Sequence, residues 1–214
     1  MPFYNPPAFR SQDIDALWAT ILAHPFATLV SNGPEGPLVS HLPLVGDRAS
    51  GSNGRLIGHL ARGNGHWRLA DLTLPSLAIF HGPDAYVSPG WYPSKAEHHK
   101  VVPTWNYTAI YATGRLVIHD DRDWLADQVA RVTDRQESGR AVRWQVGDAP
   151  PDFIAAQLKG IVGLELVLTG LEGKFKLSQN RSEADREGVI TGLAGEADAG
   201  SAGVRGQMLP RRDA

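Results

Sequence analysis

The chain contains no cysteine. That absence excludes disulfides, thiolate zinc sites, iron–sulfur clusters and a cysteine nucleophile together. It fits a reducing compartment. No apolar run approaches the length needed to cross a bilayer. The first residues, Met1-Pro2-Phe3-Tyr4-Asn5-Pro6-Pro7, have neither the basic nor the apolar region of a signal peptide. A soluble cytoplasmic protein with no membrane partner is the expectation. Excess positive charge is also lacking: 21 Lys and Arg stand against 23 Asp and Glu, a formal net charge of -2. A protein that coats DNA phosphates is usually basic, so a DNA partner is possible but unsupported by charge. There is no GxSxG, no P-loop and no GxGxxG after a strand. Paired carboxylates fall mostly at helix starts, where capping accounts for them, and no catalytic acid or base stands out.

What the chain does have is a run dense in Trp, Tyr, Gly and Pro: Phe80-His81-Gly82-Pro83-Asp84-Ala85-Tyr86-Val87-Ser88-Pro89-Gly90-Trp91-Tyr92-Pro93-Ser94-Lys95, then Val101-Val102-Pro103-Thr104-Trp105-Asn106-Tyr107. Strand cores favour Val, Ile and Leu. Flat aromatics broken by Pro and Gly suit a shaped surface on which a planar ligand lies.

Hydrophobic spacing predicts a helix over Asp13 to His24, stopped by Pro25. Phe26 to Ser31 and Pro37 to Val45 read as a hairpin around Asn32-Gly33-Pro34-Glu35-Gly36. A Gly/Ser/Asn loop follows over Gly46 to Gly54, then a strand over Arg55 to Leu60 and one or two helical turns within Gly65 to Leu72. Ser76 to Phe80 and Ala85 to Ser88 read as two strands about Gly82-Pro83. Pro103 to His119 is the longest strand, with Gly114 permitting a bend. Asp120 is expected to cap the next helix, and Pro150-Pro151-Asp152 to open another through Leu158. Gly163 to Leu177 reads as a strand pair or one bent strand. Ser182-Glu183-Ala184-Asp185 resembles a capping box for a last helix to about Leu193. Residues 194–214, rich in Gly and Ala, are expected to be a disordered tail. Short loops between most strands favour antiparallel pairing, so a closed or half-closed barrel with peripheral helices is expected.

Five segments carry candidate chemistry. His41 and Leu42 lie on the second strand and can line a planar ring, or be ordinary strand residues. In Gly58-His59-Leu60-Ala61-Arg62-Gly63-Asn64-Gly65-His66-Trp67 a strand ends in a Gly-rich turn. Backbone N–H groups and the planar Arg62 fork there suit a phosphate, with His59 and Asn64 as further donors. The bland alternative is a surface turn with a solvated arginine. The pairs His59/His66 and His98/His99 lack the spacing and companions of a zinc site, and no metal is expected. Trp105 can cover a ring or fill a dimer interface, and Asn106 can read the polar edge of a pyrimidine-like ring. In Lys174 to Ser182, Lys176, Gln179, Asn180 and Arg181 make a basic cluster that either closes over a phosphate or is a solvated connector.

Taken in order, these marks resemble the PaiB-type FMN-binding split-barrel proteins, usually described as negative transcriptional regulators. The marks are Tyr4-Asn5-Pro6 with Phe9, His41-Leu42-Pro43, His59-Leu60-Ala61-Arg62 with Asn64 and Trp67, the Gly82 to Lys95 run, Val102 to Tyr107, and Lys176 to Arg181. The resemblance spans about Met1 to Leu193, and Gly65 stands where the family often has Pro. It implies a mainly β fold with peripheral helices, a six-stranded antiparallel split β-barrel that forms a homodimer with FMN between subunits. His59, Ala61, Arg62 and Asn64 would hold phosphate and ribityl oxygens. His41, Leu42 and Trp105 would approach the ring, and Lys176 to Arg181 would serve the site or the dimer. Direct regulation of DNA is harder to derive. No helix-turn-helix is visible, and the helix near Asp121 to Gln136 mixes Arg122, Arg131 and Arg135 with several aspartates. An FMN-dependent oxidoreductase, a haem-binding or haem-degrading split barrel, and a structural dimer without cofactor remain as alternatives.

Overall fold

The computed structural model describes residues 3–50 and 53–210. Expectations for Met1 and Pro2, for Gly51 and Ser52 of the Gly/Ser/Asn loop, and for the last four residues lie outside the described residues. The chain divides into two compact units. The first comprises Met1–Leu17, His81–Ile110 and Glu172–Ala214, and the second Trp18–Phe80 and Tyr111–Leu171.

The strands, in chain order, are β1 (Arg10–Ser11), β2 (Phe26–Gly33), β3 (Gly36–Pro43), β4 (Val45–Asp47), β5 (Arg55–Ala61), β6 (Ser76–Val87), β7 (Thr104–His119) and β8 (Ile161–Lys176). The helices are α1 (Ile14–Ala23), α2 (His66–Leu69), α3 (Ser94–His98), α4 (Arg122–Glu137), α5 (Pro151–Lys159), α6 (Glu183–Ala194) and α7 (Ala199–Met208). The sheet runs in the order β3-β2-β6-β7-β8-β5-β4, with β1 paired to β8 off this path. The pairings with a resolved register are antiparallel, among them Thr28 opposite His41 and His59 opposite Gly163. The path is open, yet its two end strands, β3 and β4, are separated in the chain by Leu44 alone. Strands lie ~4.8 Å apart, so a flat path of this width would span roughly 29 Å. One residue cannot bridge that distance. The sheet is therefore rolled, and Gly58 of β5 comes so close to Pro43 and Leu44 that a Cβ would collide with both. The fold is mainly antiparallel β with flanking helices, a split barrel. Its sheet has eight strands rather than six, because β1 and β4 are short additions that the hydrophobic pattern does not reveal.

In the second unit, alternation decides which side chains go inside. On β2, Ala27, Leu29 and Ser31 are buried, and on β3 Ser40 and Leu42 are buried while Val39 and His41 are exposed. β5 and β8 add Leu56, Leu60, Val162, Leu164 and Leu166. The ring of Trp124 on α4 lies flat enough on β8 that a Cβ at Gly163 would come within 2.2 Å of it. The cap of α4 is Asp121, whose side chain accepts the Trp124 N–H at 2.9 Å, not Asp120. Asp120 is held elsewhere by an arginine.

The first unit holds the later half of β6, the start of β7, the end of β8, and α3, α6 and α7. Its core joins Ala85, Val87, Tyr92, Leu177, Val189, Leu193, Val204 and Met208. Two expectations fail here. Gly82-Pro83 is not a turn between strands; it lies inside the single strand β6. Residues 195–210 are not a disordered tail. Asp198 caps α7 by accepting the Ser201 N–H at 2.8 Å, and Val204 and Met208 insert into the core. The small residues read as a sign of disorder are what permits this packing: a Cβ at Gly203 would strike Pro83 at 2.6 Å, and one at Gly200 would strike the Asp84 carbonyl at 2.3 Å. α6 starts as expected, with Ser182 accepting the Asp185 N–H at 3.2 Å.

Candidate functional site

The turn after β5, expected to grip a phosphate, is already satisfied by protein groups. Arg62 Nε donates to the Lys159 carbonyl at 2.8 Å, and Nη2 donates to the Ile161 carbonyl at 2.9 Å. The same guanidinium forks onto both carboxylate oxygens of Asp120, at 3.0 and 2.5 Å. That pairing raises the Arg62 pKa and holds the Asp120 carboxyl below its usual range. Four N–H donors are thus committed, and a guanidinium has five. Asn64 is committed too: its amide donates to Ser40 Oγ at 3.0 Å and its carbonyl accepts the His66 N–H at 2.9 Å. His59 Nδ1 lies 2.8 Å from Gln128 Oε1 on α4, and Ala61, the last residue of β5, is exposed. Arg62 and Asn64 thus act as internal clamps, not as a free anion fork.

The same turn carries a buried polar chain that motif reading missed. His66 sits between two serines, with Nδ1 at 2.9 Å from Ser40 Oγ and Nε2 at 2.9 Å from Ser31 Oγ. Ser31 Oγ continues to Ser76 Oγ at 2.7 Å. Burial pushes the His66 imidazole below its ordinary pKa. With both nitrogens taken, His66 has none left for a metal. No group of three or more His, Cys, Asp or Glu suited to a metal occurs among the described residues.

His41 and Leu42 point opposite ways, as neighbours on a strand must. Leu42 is core at 2% exposure, so its side chain cannot line a ligand. His41 is exposed, 3.2 Å from Thr28 Oγ1 and stacked on Phe26 at 6.3 Å between centroids. Phe26 is 65% and Val39 56% exposed, giving this outer face of the hairpin an apolar strip.

In the first unit, Trp105 and Asn106 also take opposite faces. Trp105 is 49% exposed, donates its indole N–H to Asp84 at 2.8 Å and meets Tyr86 edge-on. Asn106 is fully buried under α7, its amide donating to Ser178 Oγ at 2.9 Å while its carbonyl oxygen has no partner. It therefore reads the inside of the fold, not the edge of a ligand ring. Gln179 is a turn brace, accepting the Leu177 N–H at 2.7 Å and donating to the Phe175 carbonyl at 2.5 Å.

Lys176 differs from these. Its ammonium donates to the Trp105 carbonyl at 2.7 Å and to Thr104 Oγ1 at 2.5 Å. Burial, then the nearby charges of Lys174 and Arg181, pull its pKa down. Lys174 is only 6% exposed, donates to the Tyr4 carbonyl at 3.0 Å and lies over the rings of Tyr4 and Tyr107 at 4.8 and 5.3 Å. Arg181 lies over the Tyr92 ring at 4.8 Å. None of the three makes an ion pair with a carboxylate among the described residues. Lys174 was legible in principle: Lys-Phe-Lys on a strand puts both lysines on one face.

Comparisons agree with this architecture. Residues 3–170 match a family model described as "Putative FMN-binding domain". Protease synthase and sporulation protein PAI 2 of Bacillus subtilis is 32% identical over 195 residues, covering 90% of each chain. Among solved structures, the flavocytochrome Anf3 from Azotobacter vinelandii shares the fold at a TM-score of 0.59 and 14% identity, over 78% of this chain and 69% of that one. The FAD and haem binding protein from Mycobacterium smegmatis does so at 0.52 and 19% identity, over 86% and 80%. That match and that kinship settle the family: the chain belongs to the PaiB-type family of FMN-binding split-barrel proteins.

Proposed function

We propose that the protein binds FMN as a homodimer and that the phosphate is held by Lys176 and Arg181, with Lys174 behind them. The observation that carries this reading is the crowding of three cations at one strand end and turn, none of them ion-paired to a carboxylate among the described residues. Like charges in a partly desolvated place repel, and an anion relieves them. Charge-assisted donors of this kind suit a phosphate ester, each contributing about 1.5–3 kcal/mol. The donor set therefore fits the anionic end of FMN better than the Arg62 turn, whose donors are spent. Trp105, half-exposed in the same unit, is the flat surface for the ring system. When bound, the flavin supplies electron-transfer chemistry at its ring. The residues named here only bind and orient it. In the second unit, the apolar strip of Phe26, Val39 and His41 is the surface for a second copy.

Any influence on transcription is, in this reading, indirect. On α4 the arginines are interleaved with acids, and Arg131 is already paired to Asp127 at 2.8 Å. No helix of the described residues is long and apolar enough to cross a membrane. The decisive experiment is the visible spectrum and mass of whatever co-purifies with the full chain. Flavin bands and the mass of FMN support the proposal; a Soret band or a colourless protein that takes up no added FMN refutes it.

A further inference from the structure

The second unit contains a cavity of about 360 Å³ between the start of α4 and the end of α5. That is within the range of small-molecule sites. Its floor is apolar, made by Leu125 and Leu158, both buried, and by Ala155. Its rim is charged. The one acid there, Asp120, is held by the Arg62 fork, so the two cancel. Arg122 and Lys159 remain on the rim, exposed and with no ion-pair partner among the described residues. The cavity thus presents an apolar bed beneath two uncompensated cations.

We infer that this cavity is a second ligand site, separate from the flavin, that takes a compact carboxylic acid with an aromatic or branched apolar body. A cation is disfavoured by the rim. A neutral apolar ligand leaves Arg122 and Lys159 unused. A polyanion would leave the leucine floor unused. A monocarboxylate uses both: its body lies on Leu125, Ala155 and Leu158, and its charge meets Arg122 and Lys159. The Arg62–Asp120 pair stays intact, because it ties the β5 turn to the chain beside each helix end that walls the cavity. The inference rests on the reading that the flavin phosphate sits in the first unit and not at Arg62, which lines this cavity.

The test is calorimetric titration of the full chain, flavin included, with 1-naphthoate and its neutral counterpart 1-naphthamide. An acid of this size binds with a Kd of about 1 mM or tighter. The amide binds at least ~10-fold more weakly, because it forfeits a charge-assisted contact. The double variant Arg122→Gln/Lys159→Gln reduces naphthoate binding by a similar factor. The variant Ala155→Phe, which fills the bed and keeps the charges, abolishes it; circular dichroism checks that both variants are folded. Absence of heat at about 10 mM naphthoate overturns the site. So does equal binding of the amide, or binding unchanged in both variants. Displacement of naphthoate by added FMN also overturns it, since the cavity would then be part of the flavin seat. Whether the protein retains FMN at all is read separately from its absorbance.

Discussion

In the second unit Arg55 lies between Asp47, at 2.9 Å, and Glu165, at 3.3 Å, and Arg62 forks onto Asp120. Even His119 has Glu165 at 2.8 Å. In the first unit Lys174, Lys176 and Arg181 share one strand end and turn with carbonyls, a hydroxyl and aromatic rings, and none of them is ion-paired to a carboxylate among the described residues. The two sets have similar composition in the sequence and different standing in the fold. A cation matched by an acid and by backbone carbonyls is part of the framework. A desolvated cation without an acid carries a cost that folding alone does not explain, and an anionic ligand is the simplest relief. The more conspicuous motif, the Gly-rich turn with Arg62, is of the first kind.

Several substitutions sharpen or break this contrast. The largest effect is expected from Lys176→Gln with Arg181→Gln, which lowers FMN affinity on the order of 100-fold or more in a fluorescence titration. Arg62→Gln is the counterpart. It leaves FMN affinity within about threefold but lowers the melting temperature, because it frees Asp120 and two carbonyls. Reversed outcomes would exchange the roles of the two units.

His66→Ala tests the matched interior. It takes one hydrogen-bond partner from each of the hydroxyls of Ser31 and Ser40, which keep Ser76 and Asn64, and it empties a buried site, costing about 1–3 kcal/mol in urea unfolding, with FMN affinity little changed. The same histidine sets a pH dependence. Its folded pKa is depressed, so at mildly acidic pH the unfolded chain binds a proton that the folded chain refuses. Stability is flat above the ordinary histidine pKa, near 6.5, and falls as pH drops below it. In His66→Ala this acid-side slope is shallower, as read from unfolding midpoints between pH 7 and roughly 5. The smallest effect belongs to Gly206→Ala. A Cβ there meets nothing within 4 Å, so α7 gains up to about 1 kcal/mol. If that substitution left stability unchanged, the ordered C-terminal helix of the first unit would be in doubt.

Most of the framework was legible because periodicity reports burial. The hairpin of β2 and β3, β5, β7, α1 and α6 fall within a few residues of their expected bounds. What was illegible followed from partners distant in sequence. The break read at Gly82-Pro83 vanished because the strand runs straight through it. α7 was hidden because its glycines are chosen for close approach to Pro83 and Asp84, which composition alone cannot distinguish from disorder. For the site, residue type was informative and compensation was not. Nothing near Arg62 in the sequence announces Asp120, and nothing near Lys176 announces that no acid among the described residues pairs with it. Likewise Asn106 and Leu42 carry suitable chemistry but point inward, where only the strand register decides.

The most direct measurement compares FMN with riboflavin, which lacks the phosphate, on the wild-type chain and on Lys176→Gln. The account predicts that wild type binds FMN much more tightly than riboflavin, and that Lys176→Gln weakens FMN roughly 10-fold or more while leaving riboflavin unchanged. Equal losses for both ligands, or a loss of the FMN preference in Arg62→Gln instead, would contradict it.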